Sequence, residues 1–157
     1  MKTIHQWFAE YGVSHQNPTN KLIHWFAVPS IYFTVFGLLW QIPMPFGLFA
    51  EQQITWPLLL AMPALAFYFS LSFAIGVGMT LFTALVVMLI RFYEQNFSLD
   101  IWLVSLLLFV VMWVFQFIGH KIEGKKPSFF QDLQFLLIGP AWPVSYTHLT
   151  LPTTPYV

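Results

Sequence analysis

The segment from His15 to His24 concentrates imidazole and amide side chains directly before a long apolar run. Asn17 is a favourable N-cap, and Pro18 suits the first helical position because its missing N–H would have no partner at a helix start. A helix should therefore begin here, with Asn20 and His24 on one face and His15 just ahead of the cap. Imidazoles in such a place bind metals or transfer protons, although His and Asn can also serve only to cap a helix.

A second polar cluster closes the last long apolar run of the chain. On one continuous helix, Gln116, His120 and Glu123 follow one another at spacings of four and three residues, so their side chains point the same way. Trp113 extends this stripe by one turn into the apolar run. Ionisable groups at the edge of an apolar span are costly unless they are paired, solvated or used. Glu123 suits either a metal ion or a neighbouring lysine.

Brought together, the two clusters would supply three imidazoles and a nearby carboxylate to a first-row metal ion. Non-haem iron(II) suits such a set because three protein ligands leave positions open for substrate and oxygen. Zinc with three nitrogen ligands and a water also fits. The chain has no cysteine, which excludes thiolate sites and disulfides. It also lacks the sequence patterns of helical zinc boxes, nucleotide-binding glycine loops and serine triads.

The composition is that of an integral membrane protein. Hydrophobic residues make up 58% of the chain, aromatic residues 20% and charged residues 8%, and the mean hydropathy is +0.70. This leaves too little polar surface to cover a soluble globule. The formal net charge of zero argues against nucleic acid as a partner, because phosphate binding needs a basic excess.

The apolar runs predict an all-α polytopic membrane bundle with about four transmembrane helices. A span needs about 20 apolar residues, which residues 22–40 and 101–118 provide. The run 56–93 is long enough for two spans joined by a tight turn, and Gly76 and Gly78 mark this turn. Residues 129–142 predict the start of a truncated C-terminal helix.

A short interfacial helix is predicted at the N-terminus. Its apolar side would consist of Ile4, Trp7, Phe8 and Tyr11. His5 falls on the opposite side and is interpreted as a solvated surface residue.

The basic residues predict how the bundle is oriented. The lysines precede the first span or follow the fourth, whereas Arg91 lies on the other side, so both native termini should be cytoplasmic. An even number of spans places the start of the first and the end of the fourth at the same face, which brings His15 and His24 level with His120. A bacterial inner membrane is expected, or the endoplasmic reticulum membrane in a eukaryote.

Both polar clusters resemble those of the Mpo1-like membrane protein family. The resemblance runs from residue 11 to about residue 143 and rests on Tyr11, the segment 15–24, Pro29, Trp113, the run Gln-Phe-Ile-Gly-His120, Glu123 and Pro127. It implies a dioxygenase that depends on iron(II), Fe2+, and uses O2 to remove one carbon from 2-hydroxy fatty acids. This reaction is fatty acid alpha-oxidation.

The resemblance also implies roles for particular residues. The catalytic metal ligands would be His15, His24 and His120. The residues that hold these imidazoles in orientation would be Asn17, Asn20, Gln116 and Glu123. Two other readings stay open: a non-catalytic integral membrane protein with structural histidines, and a zinc-dependent lipid hydrolase. The residues do not indicate an oligomeric state.

The last residues depart from the family pattern. Family members usually continue past Gly139 and Pro140 with another apolar stretch that contains a glutamate. Residues 144–153 instead resemble a translated sequencing adapter. A C-terminally truncated domain is therefore expected over residues 1–143, with a non-native tail over 144–157, and His148 is discounted as a ligand.

Overall fold

The chain folds into a bundle of helices in the computed structural model, which describes residues 3–13, 15–47, 54–124 and 141. The described helices are α1 (Ile4–Val13), α2 (Pro18–Trp40), α3 (Trp56–Leu71), α4 (Phe73–Asn96) and α5 (Ile101–Glu123), with a 3-10 turn at Pro45–Gly47. This part of the chain contains no β-strand. Three helices, α2, α4 and α5, are long and apolar enough to cross a membrane. The predicted all-α membrane bundle is therefore confirmed.

Helix α2 begins where the capping residues predict. The side-chain oxygen of Asn17 accepts hydrogen bonds from the backbone N–H groups of Thr19, at 2.9 Å, and Asn20, at 3.4 Å. Pro18 occupies the first turn, and the helix continues through Pro29 to Trp40. The N-cap thus fixes the helix start at the polar segment, several residues before the apolar run itself begins.

The long apolar run 56–93 is broken at Ser72, so the predicted turn at Gly76 and Gly78 is wrong. Ser72 is extended, and its N–H donates to the carbonyl of Tyr68 at 3.0 Å. Both glycines lie inside α4, where Gly76 lets the ring of Phe69 approach: a Cβ there would come within 2.7 Å of the ring atom Cε1. The missing side chain serves the packing of α3 against α4 instead of a turn.

Helix α3 is shorter than its partners. Its 16 residues span about 24 Å, less than the roughly 30 Å thickness of a bilayer's hydrocarbon core. Of the four helices that correspond to the predicted spans, three have the required length. Antiparallel packing of α3 on α4 nevertheless returns the chain to the side from which α3 started.

Helix α1 packs against the turn between α3 and α4. Ile4 and Phe8 are buried in one apolar cluster with Tyr68, Ile75 and Met79. Ile4, Trp7 and Phe8 of the predicted apolar side thus contact protein, and His5 on the other side is exposed as expected. A second apolar cluster, near the other end of the bundle, contains Phe36, Trp40, Ala61, Val86, Ile90 and Ile101.

Helices α2 and α5 form a long antiparallel pair. Near the start of α2, Asn20 lies against Gly119 of α5, and near its end, Gly37 lies against Ser105. The Tyr32 hydroxyl links this pair to α4 through a 2.8 Å hydrogen bond with Thr83. The end of α5 therefore returns to the start of α2, as an even number of passes predicts.

The predicted C-terminal helix and tail lie outside the described residues, apart from Ala141. That residue is helical and fully buried, in the same cluster as Ile4 and Phe8. The tail prediction for 144–157, including His148, also lies outside the described part of the chain.

Candidate functional site

Three imidazoles meet where the start of α2 adjoins the end of α5. The ring centroids of His15 and His24 are 4.2 Å apart, those of His24 and His120 are 5.2 Å apart, and those of His15 and His120 are 6.2 Å apart. His15 and His24 are only 2% and 3% exposed, and His120 is half-buried. The structure thus brings together all three predicted ligands, whose role in binding a metal stays a prediction.

One imidazole is oriented by its own helix. His24 Nδ1 lies 2.9 Å from the backbone carbonyl oxygen of Asn20. Because a carbonyl oxygen can only accept, Nδ1 must carry the hydrogen, and Nε2 is left with the lone pair. Fixing the ring through its second nitrogen is the usual arrangement for a metal-binding histidine. Asn20 therefore supports His24 through its main chain and not through its amide.

Gly119 allows the two helices to approach at the site. A Cβ at this position would overlap the side-chain oxygen of Asn20 and lie 3.3 Å from Cε1 of His24. Asn20 is fully buried and Gly119 is buried as well. The absence of a side chain at Gly119 thus brings His24 close to the turn of α5 that carries His120.

The Glu123 carboxylate binds the start of α2. It accepts hydrogen bonds from the backbone N–H of Gln16 at 2.8 Å and of Asn17 at 2.9 Å, and from the side-chain amide of Asn20 at 3.0 Å. A carboxylate is favoured at a helix N-terminus, where backbone N–H groups lack partners. Glu123 therefore ties the end of α5 to the start of α2, and so holds His120 near the other two rings.

Gln16 is a participant that sequence reasoning missed. Its contribution is a backbone N–H, which no side-chain pattern encodes. The sequence does contain one signal for this contact: a carboxylate at the end of one helix and an N-cap at the start of another. It indicates a hydrogen bond between them only once the two helices are placed side by side.

Two polar atoms on the α5 stripe have no hydrogen bond in the described part of the chain. Gln116 is 8% exposed, and its side-chain oxygen is buried without a partner. The indole N–H of Trp113 is likewise buried, with no hydrogen-bond partner in the described part of the chain.

Four residues were expected to hold the imidazoles in orientation. Asn20 contacts His24 through its carbonyl, and Asn17 caps α2. Glu123 joins α5 to α2, whereas Gln116 forms no hydrogen bond to the described residues.

The imidazole cluster has the type of donor atom that a first-row metal ion needs. Imidazoles on one ion, with metal–nitrogen distances near 2.1 Å, have ring centres about 4.5–5.5 Å apart. The distance of 5.2 Å between His24 and His120 lies within this range, whereas 4.2 Å for His15 and His24 is shorter and 6.2 Å for His15 and His120 is longer. In their present orientation, no group of three or more His, Asp or Glu side chains within residues 3–13, 15–47 and 54–124 is arranged to hold a metal ion. Metal binding by this cluster therefore stays a prediction, and it would require the imidazole rings to reorient.

A cavity of about 330 Å³ lies at the opposite end of the bundle. It is lined by Trp40, Thr55, Arg91, Glu94 and Gln95. The indole N–H of Trp40 donates to Glu94 there, at 2.9 Å. None of the predicted site residues lines this cavity, which is separated from the imidazole cluster by the length of α2.

Comparison with known proteins finds a family match over most of the chain. The family model described as "2-hydroxy-palmitic acid dioxygenase Mpo1-like" matches residues 1–150. The chain belongs to the Mpo1-like family. The resemblance seen in the sequence is thereby confirmed. The match to this Mpo1-like model ends inside the predicted tail, whose non-native origin stays a prediction.

A curated member of the family is similar over most of this chain. The 2-hydroxy-palmitic acid dioxygenase MPO1 of Saccharomyces cerevisiae is 29% identical over 133 residues, which cover 83% of this chain and 71% of the yeast protein. No solved structure matches. The homology supports an oxidoreductase by resemblance.

Proposed function

We propose that this chain is an iron(II)-dependent dioxygenase that removes one carbon from 2-hydroxy fatty acids. The observation that carries the proposal is the convergence of His15, His24 and His120 from opposite ends of the chain. Membership of the Mpo1-like family and the name of the yeast relative supply the substrate class. Three neutral nitrogen donors with open positions beside them are suited to non-haem iron(II).

The proposed reaction balances with one O2 per acid. The bond between C1 and C2 breaks, C1 leaves as CO2, C2 becomes the carboxyl carbon of the shortened acid, and one water forms. C2 gives up three electrons and C1 gives up one, which together reduce O2 completely. Iron(II), when bound, would bring the acid and O2 together and mediate this electron transfer.

The protein's own residues would position the reactants. The Asn20 carbonyl holds His24 with Nε2 available, and Glu123 keeps His120 beside it by binding the start of α2. Burial of His15 and His24 excludes water from most of the cluster. The cluster lies at the end of the bundle, so the acid's polar head would meet the imidazoles while its acyl tail stays in an apolar medium.

We also propose in which membrane the chain lies and which side its imidazole cluster faces. Lys21 and Lys121 flank the imidazole cluster, and basic residues beside spans favour the cytoplasmic face. We therefore expect the cluster to face the cytoplasm, in a bacterial inner membrane or, in a eukaryote, in the membrane of the endoplasmic reticulum.

The proposal is tested with purified protein in lipid nanodiscs. With iron(II), air and 2-hydroxypalmitate, the C15 acid should appear as one O2 is consumed per acid. His24→Ala and His120→Ala should each lower this rate by about a hundredfold or more, because each removes a metal ligand. His5→Ala, which changes an exposed histidine on α1, is the matched control and should keep wild-type activity.

Other outcomes identify the alternatives. Full activity in both His24→Ala and His120→Ala would rule out the proposed site. Retention of zinc by the purified protein, with lipid ester cleavage and no O2 uptake, would instead establish a hydrolase. Absence of bound metal and of turnover in the wild type would indicate a non-catalytic protein.

A further inference from the structure

The stripe on α5 contains two buried polar atoms that other parts of the described protein leave unbonded. The side-chain oxygen of Gln116 lies one turn from His120, and the indole N–H of Trp113 lies one turn further into the bundle. Both sit within a membrane-spanning helix, where water is scarce. Leaving such groups unpartnered is costly, so their presence on the face that leads to the imidazoles needs an explanation.

The two atoms are complementary to one hydroxyl group. The Gln116 oxygen is an acceptor, and the Trp113 N–H is a donor. A hydroxyl donates one hydrogen bond and accepts others, so it can satisfy both atoms at once. Side chains three residues apart on a helix have Cβ atoms about 5–6 Å apart, so both residues lie on one face of α5.

A carboxylate or an ester does not match this pair equally well. In the present orientation of the Gln116 amide, an ionised carboxylate or an ester carbonyl would place only acceptor atoms against its oxygen, with no hydrogen to share. Neighbouring side chains also keep Trp113 in place, since its ring packs against those of Phe109 and Phe117, with centroids 6.0 Å and 5.8 Å away. The indole N–H is therefore held in a defined position.

We infer that Gln116 and Trp113 recognise the 2-hydroxyl group of the fatty acid, with Gln116 accepting its hydrogen and Trp113 donating to its oxygen. This inference rests on the proposed function for its substrate. It assigns these residues to choosing 2-hydroxy acids over unsubstituted acids. It differs from the sequence-based expectation that Gln116 orients an imidazole.

Binding without turnover tests this recognition. The full chain in nanodiscs is loaded with iron(II) under nitrogen, and displacement of a fluorescent fatty acid is measured with 2-hydroxypalmitate and with palmitate. The wild type should bind the hydroxy acid at least about tenfold more tightly, the expected effect of one hydrogen bond. Gln116→Leu and Trp113→Phe should each reduce this preference several-fold while the palmitate affinity stays unchanged.

Gln95→Leu is the matched control, because Gln95 is an exposed glutamine at the opposite end of the bundle. It should keep the wild-type preference. Thermal unfolding supplies a second readout: Gln116→Leu should be as stable as the wild type or more so, because the Gln116 oxygen has no hydrogen-bond partner among the described residues. A fall of several degrees in Tm would show that Gln116 has a structural partner, and would overturn the inference.

The results separate this inference from the proposed function. A Gln116→Leu protein that still prefers the hydroxy acid, or a wild type that does not prefer it, overturns the inference even if carbon loss is observed in air. A preference that depends on Gln116, in a wild type that never shortens the acid, supports hydroxyl recognition and contradicts the dioxygenase.

Discussion

Gly119 shows how the imidazole cluster depends on the absence of one side chain. In an open helix, replacing glycine by alanine would stabilise by about 1 kcal/mol. At Gly119 the new Cβ would overlap the Asn20 oxygen, and Asn20 cannot move freely because Glu123 holds its amide. We therefore expect Gly119→Ala to lower Tm by several degrees and to weaken iron(II) binding, measured by thermal unfolding and by metal content after dialysis.

Ile118→Ala is the control for Gly119→Ala, because it changes the adjacent, exposed position of α5. Its effect on both measurements should be small. A higher Tm in Gly119→Ala would mean that α2 and α5 are further apart than the structure places them.

The hydrogen bonds that Glu123 accepts can be tested separately from its negative charge. Glu123→Gln keeps one acceptor oxygen but turns an NH2 group toward backbone donors, so at least one of the three hydrogen bonds should be lost. The expected cost is about 1–2 kcal/mol, because the carboxylate is only partly buried. Hydrogen exchange should then increase at Gln16 and Asn17.

Asp100→Asn is the matched control for Glu123→Gln. Asp100 is the exposed N-cap of the same helix, and its side chain makes no capping hydrogen bond. Its substitution should leave both stability and exchange at the start of α2 unchanged. Equal effects of the two substitutions would attribute the loss to net charge instead of to the contact between α5 and α2.

Pairing of α2 with α5 also depends on small residues at the end far from the imidazoles. A Cβ at Gly37 would overlap the Ser105 hydroxyl and lie 2.9 Å from the Ser105 Cβ. Ser105 is fully buried, and within the described residues its hydroxyl has no partner, so it contributes bulk without a hydrogen bond. The two positions together have room for one small side chain.

A double-mutant cycle tests this shared space. Gly37→Ala alone should lower Tm by several degrees, because it forces the helices apart. Adding Ser105→Gly should restore much of the loss, since the nearest remaining atom on α5 is Ile101 Cγ1 at 3.5 Å. Strictly additive effects would contradict direct contact between the two positions, because independent sites add and neighbours do not.

The helices themselves were largely predictable from the sequence. Apolar runs of about 20 residues can satisfy their backbone in lipid only as helices, and Asn17 with Pro18 marks the start of α2. The break at Ser72 was not predictable, because glycine serves close packing as readily as turns. Glycine fits at position 76 because the ring of Phe69, on the preceding helix, packs closely against it. The local sequence does not encode this contact.

The site was predictable only to the level of which histidines meet. An even number of passes places His120 level with His15 and His24, and this needs no knowledge of packing. The hydrogen bonds of Glu123 depend on the register between α2 and α5. That register follows from the close contacts at Gly37 and Gly119, which become visible only when both helices are placed in space.

The chain has no cysteine, so single introduced cysteines can show on which side of the membrane a residue lies. Thr19 lies in the first turn of α2, beside the imidazole cluster, and Ser98 lies in the link between α4 and α5; both are exposed. In sealed vesicles of known orientation, Thr19→Cys should react with a membrane-impermeant maleimide only from the cytoplasmic side. Ser98→Cys should react only from the opposite side.

Ser72→Cys adds a measurement of the short helix α3. If the hairpin of α3 and α4 spans the membrane, residue 72 belongs to the same face as Thr19 and should react from that side, more slowly because Ser72 is half-buried. Labelling of Thr19→Cys and Ser98→Cys from one side would contradict the even number of passes. The imidazoles of α2 and α5 could then not lie at one membrane face, and the metal site would lose its geometric basis.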